Sequence, residues 1–511
     1  MKKLTIIITM LAAVGLWGCK KNFLDESFNP NAPSNSTLQL SLTSAEKGAA
    51  DIINGWDSYT GILNFQLYGP YAVWEGYWIE NPTGYISNAL FTQYSVQTTT
   101  ANFPWADLYD NLSDINIMEV NSRGVFPNVN YEAIAKVLKA YDFEQLVDNY
   151  NNVPYSQAFL GAKNLTPVYD SGASIYADLI KQLDAAITLI NTNEASASPE
   201  ATPGSDDIIF GGNMDNWKKF ANTMKLRLIM RQSNLPTFAS LKAELTSTAS
   251  EGYVDGATQV TTQPGYQLSD AFGGQENPFY LNYGLRPDGT TSLYGNFYYV
   301  ANSFCVNLMN GLNDTLRLKR VYATVDGSNN ANQVVGAPNG IGTVPYTLSK
   351  IGPGLLSATA PAVMFSGAES LFLQAEAAND GMIAGSPTAL YNAGITASFE
   401  ALGLTDAQAA AYYSQPTVAL GSSANVEKSI ITQKYISLNG YGVFEAYNEY
   451  RRTGYPVIPK SINPGALGGP GQLPARIFYP QIEYSTNPVN VGLQPPATIA
   501  TEFNSKIFWA K

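Results

Sequence analysis

The 511 residues are 45% apolar and 14% charged, enough to bury a large core, so one large folded domain or two medium ones are expected rather than a disordered or fibrous chain. With 41 acidic against 29 basic residues the net charge is −12, which repels phosphate backbones and anionic lipid heads and speaks against nucleic-acid binding. There is no histidine, which removes the usual general base of a serine or cysteine triad and the commonest ligand of a catalytic zinc, while carboxylate-pair chemistry survives that loss.

The chain opens with Lys2 and Lys3, then an apolar stretch from Leu4 to Trp17 that is too short to span a bilayer, then Gly18-Cys19. This is the pattern of a secretory signal. A small residue directly before cysteine, with Leu16 three positions before it, resembles the lipobox at which a bacterial signal peptidase cuts and leaves a diacylated cysteine. Residues 1–18 are therefore expected to be a signal peptide and Cys19 the lipidation site. Residues 19–37 are expected to form an extended tether, because the prolines of Asn29-Pro30-Asn31-Ala32-Pro33 forbid a helix. No second run of eighteen apolar residues occurs, so lipid is the membrane attachment that the sequence offers.

The densest aromatic stretch is YGPYAVWEGYWIENPTGYISNALFTQY from Tyr68. Trp74 and Trp78 are four apart; if this piece is helical, both indoles face one way and form a flat platform for the apolar face of a sugar ring. Trp74, Tyr77 and Trp78 are thus candidate ligand contacts, set against the commoner role of such rings as core filling. Glu75, Glu80 and Asp107 nearby are the only tempting glycosidase acids, and no pair among them has diagnostic spacing.

From Tyr131 the pattern turns helical, with Ile134, Val137, Leu138 and Tyr141 on one stripe of about five turns. Asp170-Ser171 offers caps for a second helix through Ile175, Leu179, Leu183, Ala186, Ile187 and Ile190, and Trp217, Phe220, Ala221, Met224 and Leu228 mark a third after Asn213. Between Leu235 and Pro361 the periodicity fades into a very long loop-like stretch, a place where function tends to reside. Within it, NPFYLNYGLRPDGTTSLYGNFYY from Asn277 carries a second set of candidate ligand contacts: Tyr283, Arg286 and Tyr294, with Tyr298 beside them. Cys305, in Ser303-Phe304-Cys305-Val306, reads as a small buried hydrophobe. Met364, Ala368, Leu371, Ala375 and Ala378 line a further helix that stops at Gly381, and Ser386-Pro387 starts its hairpin partner.

Several strings in order along the chain resemble the SusD/RagB family, in its SusD-like branch: Phe23-Leu24-Asp25 with the Asn29-Pro30-Asn31 turn, YDNLSDINIM from Tyr109, AKVLKAYDFEQLVDNYNNVPYSQA from Ala135 and WKKFANTMKLRLIMR from Trp217. APAVMFSGAESLFLQAEAA from Ala360, FEAYNEYRRTGYP from Phe444 and LPARIFYPQIEYSTN from Leu473 follow. The strings themselves read as framework, with Arg451 and Arg452 ending a helix and pairing to nearby acids or carbonyls.

The resemblance implies a mainly α fold over residues 38–511, built of four tetratricopeptide-like hairpins with long irregular loops on one face. It also implies a lipid-anchored, surface-exposed outer-membrane protein that sits as a lid on a SusC-like TonB-dependent transporter. Such a protein would bind a nutrient oligomer without transforming it, an oligosaccharide in the first place or an oligopeptide as RagB-like members do. No catalytic residue, metal or cofactor is expected. Two departures concern the address: Trp17 is bulkier than the residue usual there, and Lys20-Lys21 replaces the acidic stretch that often marks surface export in Bacteroidetes.

Overall fold

The computed structural model describes residues 36–55, 69–83, 88–99, 102–269, 275–286, 294–325, 332–470, 472–494 and 503–511. The expected signal peptide, Cys19 and nearly all of the expected tether lie outside the described residues. Helix α1 (Leu38–Ile53) starts where the Thr37 hydroxyl accepts from the backbone N–H of Leu40. A short helix α2 (Gly69–Trp74) leads into strand β1 (Trp78–Glu80). Helices α3 (Asn102–Arg123) and α4 (Val129–Tyr150) pack as one hairpin, and α5 (Gly172–Glu194) and α6 (Met214–Arg231) as the next. Asn128, Ser171 and Asn213 cap the last three of these, each accepting from N–H groups of the first turn.

The chain then passes through β2 (Val260–Thr262), β3 (Tyr299–Ala301) and α7 (Ser303–Gly311) to β4 (Ala362–Phe365). Two more hairpins follow, α8 (Gly367–Asn379) with α9 (Pro387–Ala401), and α10 (Val426–Leu438) with α11 (Val443–Thr453). The fold is thus mainly α, with four tetratricopeptide-like hairpins. Among the described residues no helix is long and apolar enough to cross a membrane.

The expected stripes face the core: Ile134, Val137, Leu138 and Tyr141 of α4, and Ile175 to Ile190 of α5, are buried. Helix α4 is enclosed on nearly every side, so its stripe understated its place at the centre of the body. Two expectations need correction. Met364 belongs to β4, which pairs antiparallel with β2; the helix starts only after Ser366, whose hydroxyl accepts from Glu369 N–H. The stretch from 235 to 361 is not one long loop, because short helices and three-residue strands too brief to show a period punctuate it.

Buried charges join the hairpins. Arg227 of α6 holds Glu144 of α4 and, at 3.0 Å, Glu369 of α8. One turn on, Arg231 reaches Asp148 at 3.4 Å, Glu449 at 3.2 Å and Glu445, while Lys434 of α10 meets Glu445 at 2.9 Å and Glu449 at 3.0 Å. Arg452 clasps Glu376 at 2.7 Å and Glu449. As expected for the end of α11, Arg452 pairs with acids and Arg451 with carbonyls, donating to Ala475 O at 3.0 Å and Asp148 O at 2.7 Å.

Removing one partner of such a buried set strands the others. Arg231→Ala is therefore expected to lower unfolding stability by about 3–5 kcal/mol, measured by urea denaturation; a loss under about 1 kcal/mol would show the network to be dispensable.

Candidate functional site

Strand β1 pairs antiparallel with β3 in the register Trp78↔Ala301, Ile79↔Val300, Glu80↔Tyr299. This brings the two aromatic stretches that the sequence singled out side by side. The residues within them take different places. Helix α2 stops at Trp74, Gly76 turns the chain at φ +73°, and Trp78 opens a strand, so the two indoles do not share a helical face and no platform of that kind forms. Trp74, Tyr77 and Trp78 are 1%, 0% and 1% exposed. The Trp74 indole N–H donates to Leu90 O at 3.1 Å, with the ring among Tyr71, Tyr94 and Tyr447. Tyr77 stacks on Tyr435 at 4.3 Å and its hydroxyl donates to Tyr435 O at 2.6 Å, and Trp78 packs on Tyr322 at 4.6 Å. Such pairs contribute beyond the area they bury, which explains why this aromatic cluster is spent on rigidity.

Tyr283 is also buried, against Phe279 and Tyr299, whereas Arg286 is exposed and Tyr294 begins a short helix, Tyr294–Tyr298. Glu75 is enclosed in the core, and burial pushes its carboxyl well above the usual range. Glu80 accepts from Asn88 N–H at 2.9 Å and from the Tyr298 hydroxyl; burial outweighs both and raises it to about 7. Asp107 is half-buried on α3. Cys305 is buried, as expected, and burial raises its thiol to about 11.

Beside the hairpin lies an open groove of about 390 Å³, lined by Trp74, Asn302, Phe304, Asn307, Asn339, Ile458, Lys460 and Ile462. Neither Glu75 nor Glu80 lines it. Its walls are stitched by backbone. Asn302 N–H donates to Tyr77 O at 3.1 Å, and its side-chain oxygen caps α7 through Phe304 N–H. Ser303 N–H donates to Ala337 O at 3.0 Å, and Gly336 passes so close that a Cβ would meet Ser303 N at 2.7 Å. Asn339 donates to Phe91 O at 3.1 Å and accepts from Ile462 N–H at 2.8 Å. Phe304 is half-buried, with its ring on a wall that also carries Asn307.

Outside the groove lining, Phe297 and Tyr346 are 41% and 43% exposed, and the Lys350 ammonium sits 5.8 Å from the Phe297 ring centre. Apolar faces opposed to amides suit a saccharide, whose C–H groups stack while its hydroxyls hydrogen-bond. A second cavity, of about 310 Å³ between α3, α4 and α5, is lined by Arg123, Lys136 and Lys139, but these already share Glu119 and Glu132.

Sequence reasoning missed Phe297, Phe304, Tyr346 and Lys460. The usable signal was the turn-rich run from Gly454 to Pro470, which no packed element explains, and the exposed aromatics inside the aperiodic stretch.

The Glu80 carboxyl yields a pH prediction. Its folded-state value lies above the unfolded one, so its contribution to stability is greatest below about 4.5 and is lost as pH rises towards 7. Relative to the unmodified chain, Glu80→Gln is expected to flatten the decline in unfolding free energy, measured by urea denaturation, between these values by roughly 1–3 kcal/mol; parallel profiles would refute it.

Residues 31–480 match the SusD-like family model described as "Starch-binding associating with outer membrane". No curated protein matches the chain in sequence. Among solved structures, a chitin-binding SusD homolog from Flavobacterium johnsoniae is similar at 24% identity and a TM-score of 0.72, with 91% of this chain and 98% of that one covered. A SusD homolog from Bacteroides uniformis is similar at 22% identity and a TM-score of 0.69, covering 92% and 99%. One from Bacteroides vulgatus has 20% identity and a TM-score of 0.72, covering 93% and 97%.

Proposed function

From the premise that this chain belongs to the SusD-like family, whose members are binding proteins associated with the outer membrane, we infer that it is a receptor that binds a nutrient oligosaccharide without breaking it. The observation that carries this reading is the groove of about 390 Å³ in which the partly exposed Phe304 and Leu308 supply apolar surface and Asn307 and Asn339 supply amides. That a similar solved protein, from Flavobacterium johnsoniae, is described as chitin-binding supports a saccharide as the ligand class.

In this reading Phe304 borders the ligand, Trp74 backs the groove from the core, and Arg286 and Tyr294 remain proposed contacts outside the groove lining. Tyr77, Trp78 and Tyr283 hold the β1–β3 hairpin rigid beneath it. Lipid on Cys19 tethers the receptor to the outer membrane, and a SusC-like TonB-dependent transporter receives the cargo. An oligopeptide is the second ligand class, as in RagB-like proteins. A surface glycosidase is disfavoured, because Glu75 and Glu80 lie outside the groove and burial favours their neutral forms.

Titration calorimetry against a panel of oligosaccharides tests the site. Phe304→Ala is expected to weaken binding about tenfold while lowering the unfolding free energy by no more than about 3 kcal/mol, since the half-buried ring also packs near Tyr435. Unchanged affinity would move the ligand elsewhere. Cys19→Ser tests the tether: the protein should leave the membrane pellet for the soluble fraction, and retention in the pellet would contradict lipid attachment.

A further inference from the structure

The charge of this molecule is unevenly placed. Although 41 of its residues are acidic, the three stretches that supply most of the groove lining, 302–308, 338–339 and 458–462, contain no Asp or Glu, and neither do the residues that flank them over 294–313, 332–350 and 454–470. The lining stretches adjoin one another: Ser303 N–H donates to Ala337 O at 3.0 Å, and Ile462 N–H to Asn339 O at 2.8 Å. The fourth contributor, α2 with β1, brings Glu75 and Glu80, both buried and both outside the groove lining.

The cations differ too. Elsewhere in the body Lys218, Arg227, Arg231, Arg317, Lys434 and Arg452 each hold a carboxylate. Lys460, by contrast, lines the groove, and among the described residues it has no carboxylate within ion-pair distance. Among the described residues the partner of the Lys460 ammonium is a neutral carbonyl, Gly468 O, rather than a carboxylate.

A site for an uncharged sugar would not need to be kept free of acids in a molecule of net charge −12. For an anion it matters, because a carboxylate within a Debye length repels it and a half-buried ammonium facing amides attracts it. We propose that the ligand taken here is an anionic oligosaccharide, bearing carboxylate or sulfate groups, and that Lys460 selects it. The inference rests on the groove being the ligand site.

The test is calorimetry of the full-length folded protein at low and moderate salt with oligogalacturonides, sulfated galactan oligosaccharides, and uncharged malto- and chito-oligosaccharides. The expected result is an affinity about tenfold higher for one of the charged sets, falling as salt rises. Which set wins distinguishes carboxylate from sulfate. Lys460→Gln, which keeps length and a donor but no charge, should narrow the gap between charged and uncharged ligands and reduce the salt dependence. Equal affinity for uncharged oligosaccharides, or a gap that survives Lys460→Gln, would overturn the proposal while leaving the receptor reading intact. Tighter binding of a glutamate-rich peptide than of any saccharide would overturn both, as would failure of every saccharide to bind.

Discussion

The set of charges buried between the hairpins constrains everything else in this molecule. Arg231 lies at its centre, with carboxylates from α4 and α11 around it, and Arg227, Lys434 and Arg452 extend it to α8 and α10. Taking these groups out of water is expensive, and their mutual attraction offsets that only when every partner is in place. The carboxyls respond unequally. Burial raises all of them, but Arg231 and Lys434 pull Glu445 well below its ordinary value, whereas Glu144 and Glu369, sharing Arg227, stay raised to about 7. The six acids thus do not all carry full charge against their cations, which lowers the repulsion that a fully ionised set would suffer. A helix that slid by one turn would strand several ions at once, so the network fixes the register of four hairpins where apolar packing alone would tolerate error.

A body fixed in this way can hold irregular backbone on one face. Strands of three residues, such as β1 and β3, have little stability alone. Here the aromatic cluster of Trp74, Tyr77 and Trp78 ties them to Tyr322, Tyr435 and Tyr447 of the framework. The groove beside them inherits that rigidity, and a preformed groove loses little entropy when it takes a ligand. The same need for rigidity accounts for the burial of rings that, on composition, looked suited to touching sugar.

What the sequence made legible follows from length scale. Helices of thirteen residues or more showed themselves through stripes such as Ile175 to Ile190, and caps such as Ser171, Asn213 and Ser386 marked their starts, because both signals are local. Strand β4 did not: four residues running into a capped helix have no period of their own, so Met364 was absorbed into the helix pattern. At the candidate site the pairing of the stretches near Trp78 and Tyr299 spans more than two hundred residues and leaves no local trace. Aromatic content pointed to the right segments, but burial decides which ring is available, and burial at Trp78 depends on Tyr322, at Tyr283 on Tyr299. Phe304 and Lys460 were hidden for the complementary reason, since each sits in a segment whose neighbours are unremarkable.

Trp509 donates its indole N–H to Asp148 at 2.9 Å, across 361 positions of chain, and its ring lies under the Arg231 guanidinium at 5.3 Å. The centre of the molecule is therefore completed by a residue that is synthesised long after α4 and α6. A nascent polypeptide lacking it has the ions of the core without their covering ring, and closure must wait for contacts of very great sequence separation.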